Sequence, residues 1–163
     1  MQESHYSTPD MSRIAGIPER KVLSYIERGF IRPSIQEADG PGTKRKWSFE
    51  DLVRCSVITM LSNLITVDAL RLIAKWMEDD KVVGRNMLWK IHIAKSTGEL
   101  VFYCQSSDDE EFLMESVVKP IMGVSKGSLV ETTISRDKRV LNETPIQIQI
   151  DLALTHKWIE EQL

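Results

Sequence analysis

The chain has 163 residues, 42% of them hydrophobic, and a formal net charge of −3. That length buries a core in one domain or in two small ones, and the acidic balance excludes a uniformly basic, nucleic-acid-coating surface. Two cysteines exclude a disulfide framework or a multi-thiolate metal cluster, and no apolar run approaches the ~20 residues of a membrane span.

The opening MQESHYSTPD lacks a charged-then-apolar leader, so no secretory signal is expected. Cys55 and Cys104 are accordingly read as buried thiols in a reduced cytoplasm. Tyr6 to Pro33 reads as two short helices joined by a tight turn. Thr8 is read as the cap of the first, with Pro9 in its first turn and Asp10 at the positive end of its dipole. Met11, Ile14 and Ala15 share one face, and Gly16 tolerates the left-handed conformation that ends a helix. Pro18 and Glu19 open the second helix, whose apolar stripe is Val22, Tyr25 and Ile26. Arg20, Lys21, Ser24 and Arg28 lie off that stripe, and Gly29 with Pro33 closes the helix. This is the helix-turn-helix pattern, in which the second helix enters the major groove. Taken alone, the stretch leaves a helical hairpin within a core equally open.

Asp39-Gly40-Pro41-Gly42 is a turn cluster, followed at once by Lys44, Arg45, Lys46 and Trp47. Ser48 with Asp51 three residues later is a capping-box start for a third helix. A glycine-rich hairpin tipped with three cations reads as a wing that reaches phosphates, against the ordinary alternative of a solvated turn.

With these pieces in place, residues 6–77 resemble the winged-helix DNA-binding domain of MerR-type transcriptional regulators. The resemblance is carried by MSRIAGI (11–17), YIERGFIRP (25–33), RKWSFEDL (45–52) and LITVDALRLI (64–73). It covers under half of the chain. It departs from the family on the second helix, where the usual Thr-Leu-Arg-Tyr-Tyr run is Lys21-Val22-Leu23-Ser24-Tyr25. Excisionases and small phage-packaging subunits share the same domain. The resemblance implies a recognition helix at about 18–28 and a wing at 40–47. The residues assigned to duplex DNA are Arg13, Arg20, Lys21, Ser24, Tyr25, Arg28, Lys44, Arg45, Lys46 and Trp47.

Phe49 to Asn63 reads as an amphipathic helix through Leu52, Val53, Ser56, Val57, Met60 and Leu61. Thr66 caps the next helix, with Leu70, Ile73, Ala74 and Met77 as its inner stripe and Trp76 as core. After Gly84 no heptads appear, so the long pairing helix usual in the resembling regulators is absent from the pattern. Met87–Ile93 and Leu100–Cys104 read as a strand hairpin about a turn at Ser96–Glu99. Ser107–Glu111 is read as a helix start or a solvated loop, and Phe112–Ile121 as a short helix. Leu129–Ile134 and Arg139–Leu141 read as a further strand or strand pair, and Ile146, Ile148 and Ile150 as a strand. Leu152–Leu163 reads as a terminal helix with Leu154, Trp158 and Ile159 on one side, either a dimer contact or packing on its own sheet.

No catalytic constellation stands out. His5, His92 and His156 are isolated in sequence, the acidic runs 78–80 and 108–111 read as solvated faces, and neither a P-loop nor a Gly-x-Ser-x-Gly elbow is present. No enzymatic activity, metal or cofactor is expected. Up to Arg54, nine Lys and Arg face eight Asp and Glu, so the case for DNA rests on where the cations sit.

The expected fold class is α+β: a mostly α winged helix-turn-helix over 1–80, then a small mixed α+β domain over 81–163 for dimerisation or sensing. The expected function is a sequence-specific, duplex-DNA-binding transcriptional regulator in the cytoplasm, a homodimer on a two-fold related site. RNA polymerase and a small-molecule effector are its candidate further partners. An effector pocket lined by Trp89, Phe102 and Tyr103 is weighed against those residues being sheet core. Two other functions stay open: a DNA-architectural or recombination accessory protein of the excisionase kind, and a protein-interaction module whose winged helix no longer binds DNA.

Overall fold

The computed structural model describes residues 5–78, 83–93, 100–106, 112–118 and 146–163. Over these the chain is α+β. Its helices are α1 (Thr8–Ala15), α2 (Glu19–Glu27), α3 (Phe49–Leu61), α4 (Val67–Trp76) and α5 (Leu152–Gln162). Its strands are β1 (Met87–Ile93), β2 (Leu100–Ser106), β3 (Phe112–Val118) and β4 (Ile146–Asp151). Two compact units result, Met1–Val83 with Thr155–Leu163, and Gly84–Leu154. The first unit thus includes Thr155–Leu163, residues that the sequence analysis places in the second part.

In the first unit, the start of α1 is a capping box, with Ser7 in the cap position expected for Thr8. The Asp10 amide donates to Ser7 Oγ at 3.3 Å, and Asp10 Oδ2 accepts from the Ser7 amide at 2.9 Å and its hydroxyl at 2.6 Å. Those bonds, the hydroxyl's first, hold the Asp10 carboxyl below its ordinary value, with a smaller contribution from Arg13. Gly16 turns the chain at φ 66°, and its amide bonds back to the Arg13 carbonyl. Gly29, at φ 72°, does the same after α2, where the Phe30 amide reaches the Tyr25 carbonyl at 2.8 Å. A residue with a Cβ pays heavily for that conformation, so both turns need glycine.

Between α2 and α3 the chain forms a two-stranded antiparallel arm. Gln36 and Lys46 exchange backbone hydrogen bonds of 3.2 and 2.9 Å. Its tip is turned by Gly40 and Gly42, at φ 90° and 89°, and Thr43 Oγ1 closes it by donating to the Gly40 carbonyl at 2.8 Å. Its root is fastened to the start of α1: Tyr6 and Trp47 exchange two 3.0 Å backbone bonds, and the Trp47 indole donates to Thr8 Oγ1 at 3.2 Å.

Helix α3 is the core of this unit. Leu52, Val53, Cys55, Val57, Ile58 and Leu61 are fully buried, and so, fully or nearly, are Met11 and Ile14 of α1 and Leu70, Ile73 and Ala74 of α4, the two helices that α3 contacts. Ser48 and Asp51 form the expected capping box and Thr66 caps α4. Trp76 is buried, as a core residue should be. Burial also pushes the Cys55 thiol up to about 12.

In α5 the buried stripe is Leu152, Thr155, His156 and Ile159, whereas Leu154 and Trp158 are exposed. The expectation of Leu154, Trp158 and Ile159 on one side is therefore corrected. Leu154 and Trp158 are four apart and share one face, while Ile159 aligns with Thr155 and His156. Within the first unit, His156 Nε2 lies 2.9 Å from the Val83 carbonyl and its ring packs on Phe49 at 5.2 Å between centroids. Arg13 Nη1 donates to the Gln162 carbonyl.

The second unit is an antiparallel sheet in the order β3-β2-β1-β4. Met87, Trp89 and Ile91 alternate into its buried side, as the period-two pattern requires. The short helix expected over 112–121 is instead strand β3, paired with β2 from Leu100↔Val118 to Gln105↔Phe112. Phe112, Val117 and Val118 suit a strand, and the β2 edge supplies backbone partners that a lone helix would not need. Asp151 caps α5, its Oδ1 accepting from the Ala153 and Leu154 amides at 2.9 and 3.3 Å. The turn expected at 96–99, the 107–111 segment and the strands expected at 129–134 and 139–141 lie outside the described residues.

Candidate nucleic-acid interface

Helix α2 is amphipathic at single-residue resolution. Val22 and Tyr25 are buried, Ile26 and Lys21 are half-buried, and Arg20, Leu23, Glu27 and Arg28 are exposed with Ser24 between them. At 100° per residue, Arg20, Leu23, Ser24 and Glu27 form one outward stripe, and Lys21 and Arg28 lie together along its flank. Lys21 Nζ stands 5.9 Å from the centroid of the Tyr25 ring, which steadies the ammonium at the edge of the core. Tyr25 in turn packs on Phe30 at 5.9 Å.

The arm presents Lys44 and Lys46 to solvent. Arg45 is half-buried, its Nε 3.6 Å from Glu37 Oε2 across the arm. Among the described residues, Arg20, Lys21, Arg28, Lys44 and Lys46 enter no ion pair, so their charges are not neutralised by the protein. Such cations can displace the counterions condensed on a polyanion.

The ten residues assigned to DNA in the sequence thus separate into groups. Arg20, Lys21, Ser24, Arg28, Lys44 and Lys46 are at or near the surface. Tyr25 and Trp47 are 4% and 0% exposed and belong to the core of the unit. Arg45 braces the arm against Glu37, and Arg13 binds the end of α5 and lies 3.8 Å from Asp10. Leu23, Glu27 and Arg32, outside that set of ten, are also exposed. The first two follow from continuing the α2 wheel outward. Arg32 follows from the extended segment in which Ile31 and Pro33 turn inward.

A cleft of about 380 Å³ opens where 29–34 passes α3 and α4, lined by Arg32, Asp51, Arg54 and Glu78 among others. Its buried charges are already answered by the protein. Asp51 Oδ2 accepts from the Ser34 amide and hydroxyl, each at 2.8 Å, and from the Ser48 amide at 3.0 Å. Asp51 Oδ1 pairs with Arg54 at 2.9 Å, and Arg54 Nε donates to the Met77 carbonyl at 2.7 Å. This network fixes the segment leaving α2 to the helices beneath it.

As for the aromatic pocket, Trp89 is fully buried in the sheet, and Phe102 and Tyr103 pair with Ile91 and Lys90, successive register positions that alternate between faces. Among the described residues, no group of three or more His, Cys, Asp or Glu is placed to hold a metal ion, and no helix is long and apolar enough to cross a membrane. No family model and no curated protein matches the chain.

Proposed function

We propose that the first unit is a MerR-like winged helix-turn-helix that binds duplex DNA, with α2 as the recognition helix and the 36–46 arm as the wing. The observation that carries this reading is the set of five cations without ion pairs, two on α2, one at its C-cap and two on a glycine-turned arm. In this reading α2 lies in the major groove, Arg20 and Ser24 meet base edges, and Lys21 and Arg28 meet the adjoining backbone. Lys44 and Lys46 hold flanking phosphates.

The chain then acts as a cytoplasmic transcriptional regulator. A single unit of this size grips a short site, so a homodimer on a two-fold related sequence follows, with the outward face of α5 around Trp158 as its contact. The second unit serves dimerisation or effector sensing, and RNA polymerase is the downstream partner.

The test is binding of the purified full chain to DNA from upstream of its own gene and to random duplex, each at two salt concentrations. Selective, salt-sensitive binding is expected. Salt-sensitive binding without preference moves the reading to an architectural or recombination role. Absence of binding at low salt moves it to protein recognition, which the exposed Leu23 and Glu27 on α2 would then serve.

A further inference from the structure

We propose that Leu23 is a specificity residue that contacts the 5-methyl group of a thymine, an inference that rests on α2 entering the major groove. The outward stripe of α2 has a mixed composition. Arg20 and Ser24 can bond to phosphate or base, but Leu23 has no donor and the Glu27 carboxylate is repelled by phosphate. The residues suited to phosphate, Lys21 and Arg28, lie on the flank of that stripe. A helix in the major groove turns its outermost face to base edges and its flanks to the backbone. The composition of α2 follows that division, so the face bearing Leu23 and Glu27 is aimed at bases.

Of the groups that base pairs present in the major groove, the thymine methyl is the apolar one; the rest are hydrogen-bond donors and acceptors. Leu23, 40% exposed, is the apolar member of the stripe and matches it. Glu27, one turn on, matches the cytosine amino group in the same way. Val22 and Tyr25, buried directly behind, fix the rotation of the helix and so the direction in which Leu23 projects.

The experiment begins with duplexes enriched from a random pool by the full-length protein. Each thymine is then replaced in turn by deoxyuridine, which removes only the methyl group. Wild type is expected to bind about fourfold more weakly at one position per half-site, the factor for one methyl-sized apolar group. Leu23→Ala, an exposed helical change to a good helix former, is expected to bind the thymine and uracil forms equally. Wild-type indifference at every thymine, an enriched site without thymine, or a uracil effect that persists in Leu23→Ala would each overturn the assignment while leaving DNA binding intact. Failure to bind any duplex at low salt would overturn the DNA reading and this inference together.

Discussion

Replacing Lys44 and Lys46 together by alanine should flatten the salt dependence of DNA binding by a definite amount. Each phosphate neutralised adds about 0.9 to the slope of log affinity against log salt. With the five unpaired cations of α2 and the arm engaged, the slope per unit is about −4.5, a loss of about 500-fold between 50 and 200 mM salt. Removing the two arm lysines should flatten it by about 1.8 per unit. Arg45→Ala should flatten it by less than about 0.9, because Glu37 already occupies that guanidinium. The arm itself should persist, since the Gln36–Lys46 pairing uses backbone atoms alone. The assay is fluorescence anisotropy of a labelled duplex over a salt series, with circular dichroism as the control for folding. A double variant that is folded and keeps the wild-type slope would refute the assignment of the arm to phosphate.

Asp51→Ala should destabilise the first unit by about 3–5 kcal/mol in urea unfolding, because it removes the buried carboxylate that pairs with Arg54 and accepts from the Ser34 and Ser48 amides. Measured on the monomer at low protein concentration, Ile159→Ala should cost about 2–4 kcal/mol, whereas Leu154→Ala on the exposed face of the same helix should cost about 0.5 kcal/mol or less. In a Cys104→Ser background, Cys55 should be inert to thiol reagents at pH 8 until urea unfolds the chain; its thiol, pushed up to about 12, is almost wholly protonated there. Asp10 has its carboxyl lowered by Ser7, so its stabilising share is present above the ordinary carboxylate value of 3.8 and is lost as pH falls through the lowered one. An acid-unfolding curve for Asp10→Asn should therefore lack that component.

The helices of the first unit were legible because each is bounded by residues whose conformations are restricted: Pro9, Gly16, Pro18, Gly29 and the Ser48–Asp51 box. The choice of cap was legible too, but only from the pair. Ser7 has Asp10 three residues on and closes a reciprocal box, while Thr8 has Met11 there and lends its hydroxyl to Trp47 instead. Strand β3 was not legible, since Met114 and Glu115 favour a helix and the decisive partner is a strand elsewhere in the chain. The inner face of α5 was hidden for the same reason. Leu154, Trp158 and Ile159 are all apolar, and nothing local says that the partners are Phe49 and the Val83 carbonyl. At the candidate interface, local sequence identified the cations but not their pairing. That Arg45 meets Glu37, and that Arg13 meets Gln162, depends on how distant segments return.

The return of Thr155–Leu163 to the first unit has a consequence for synthesis. Arg13 and its acceptor at Gln162 are separated by 149 positions. A ribosome delivers the helix pair and the arm first and α5 several seconds later, at the usual ~5–20 residues per second. Until then Phe49 and the Val83 carbonyl wait without their His156 contacts. A message truncated before residue 155 would therefore yield a helix pair that lacks its seal, an easy substrate for proteolysis.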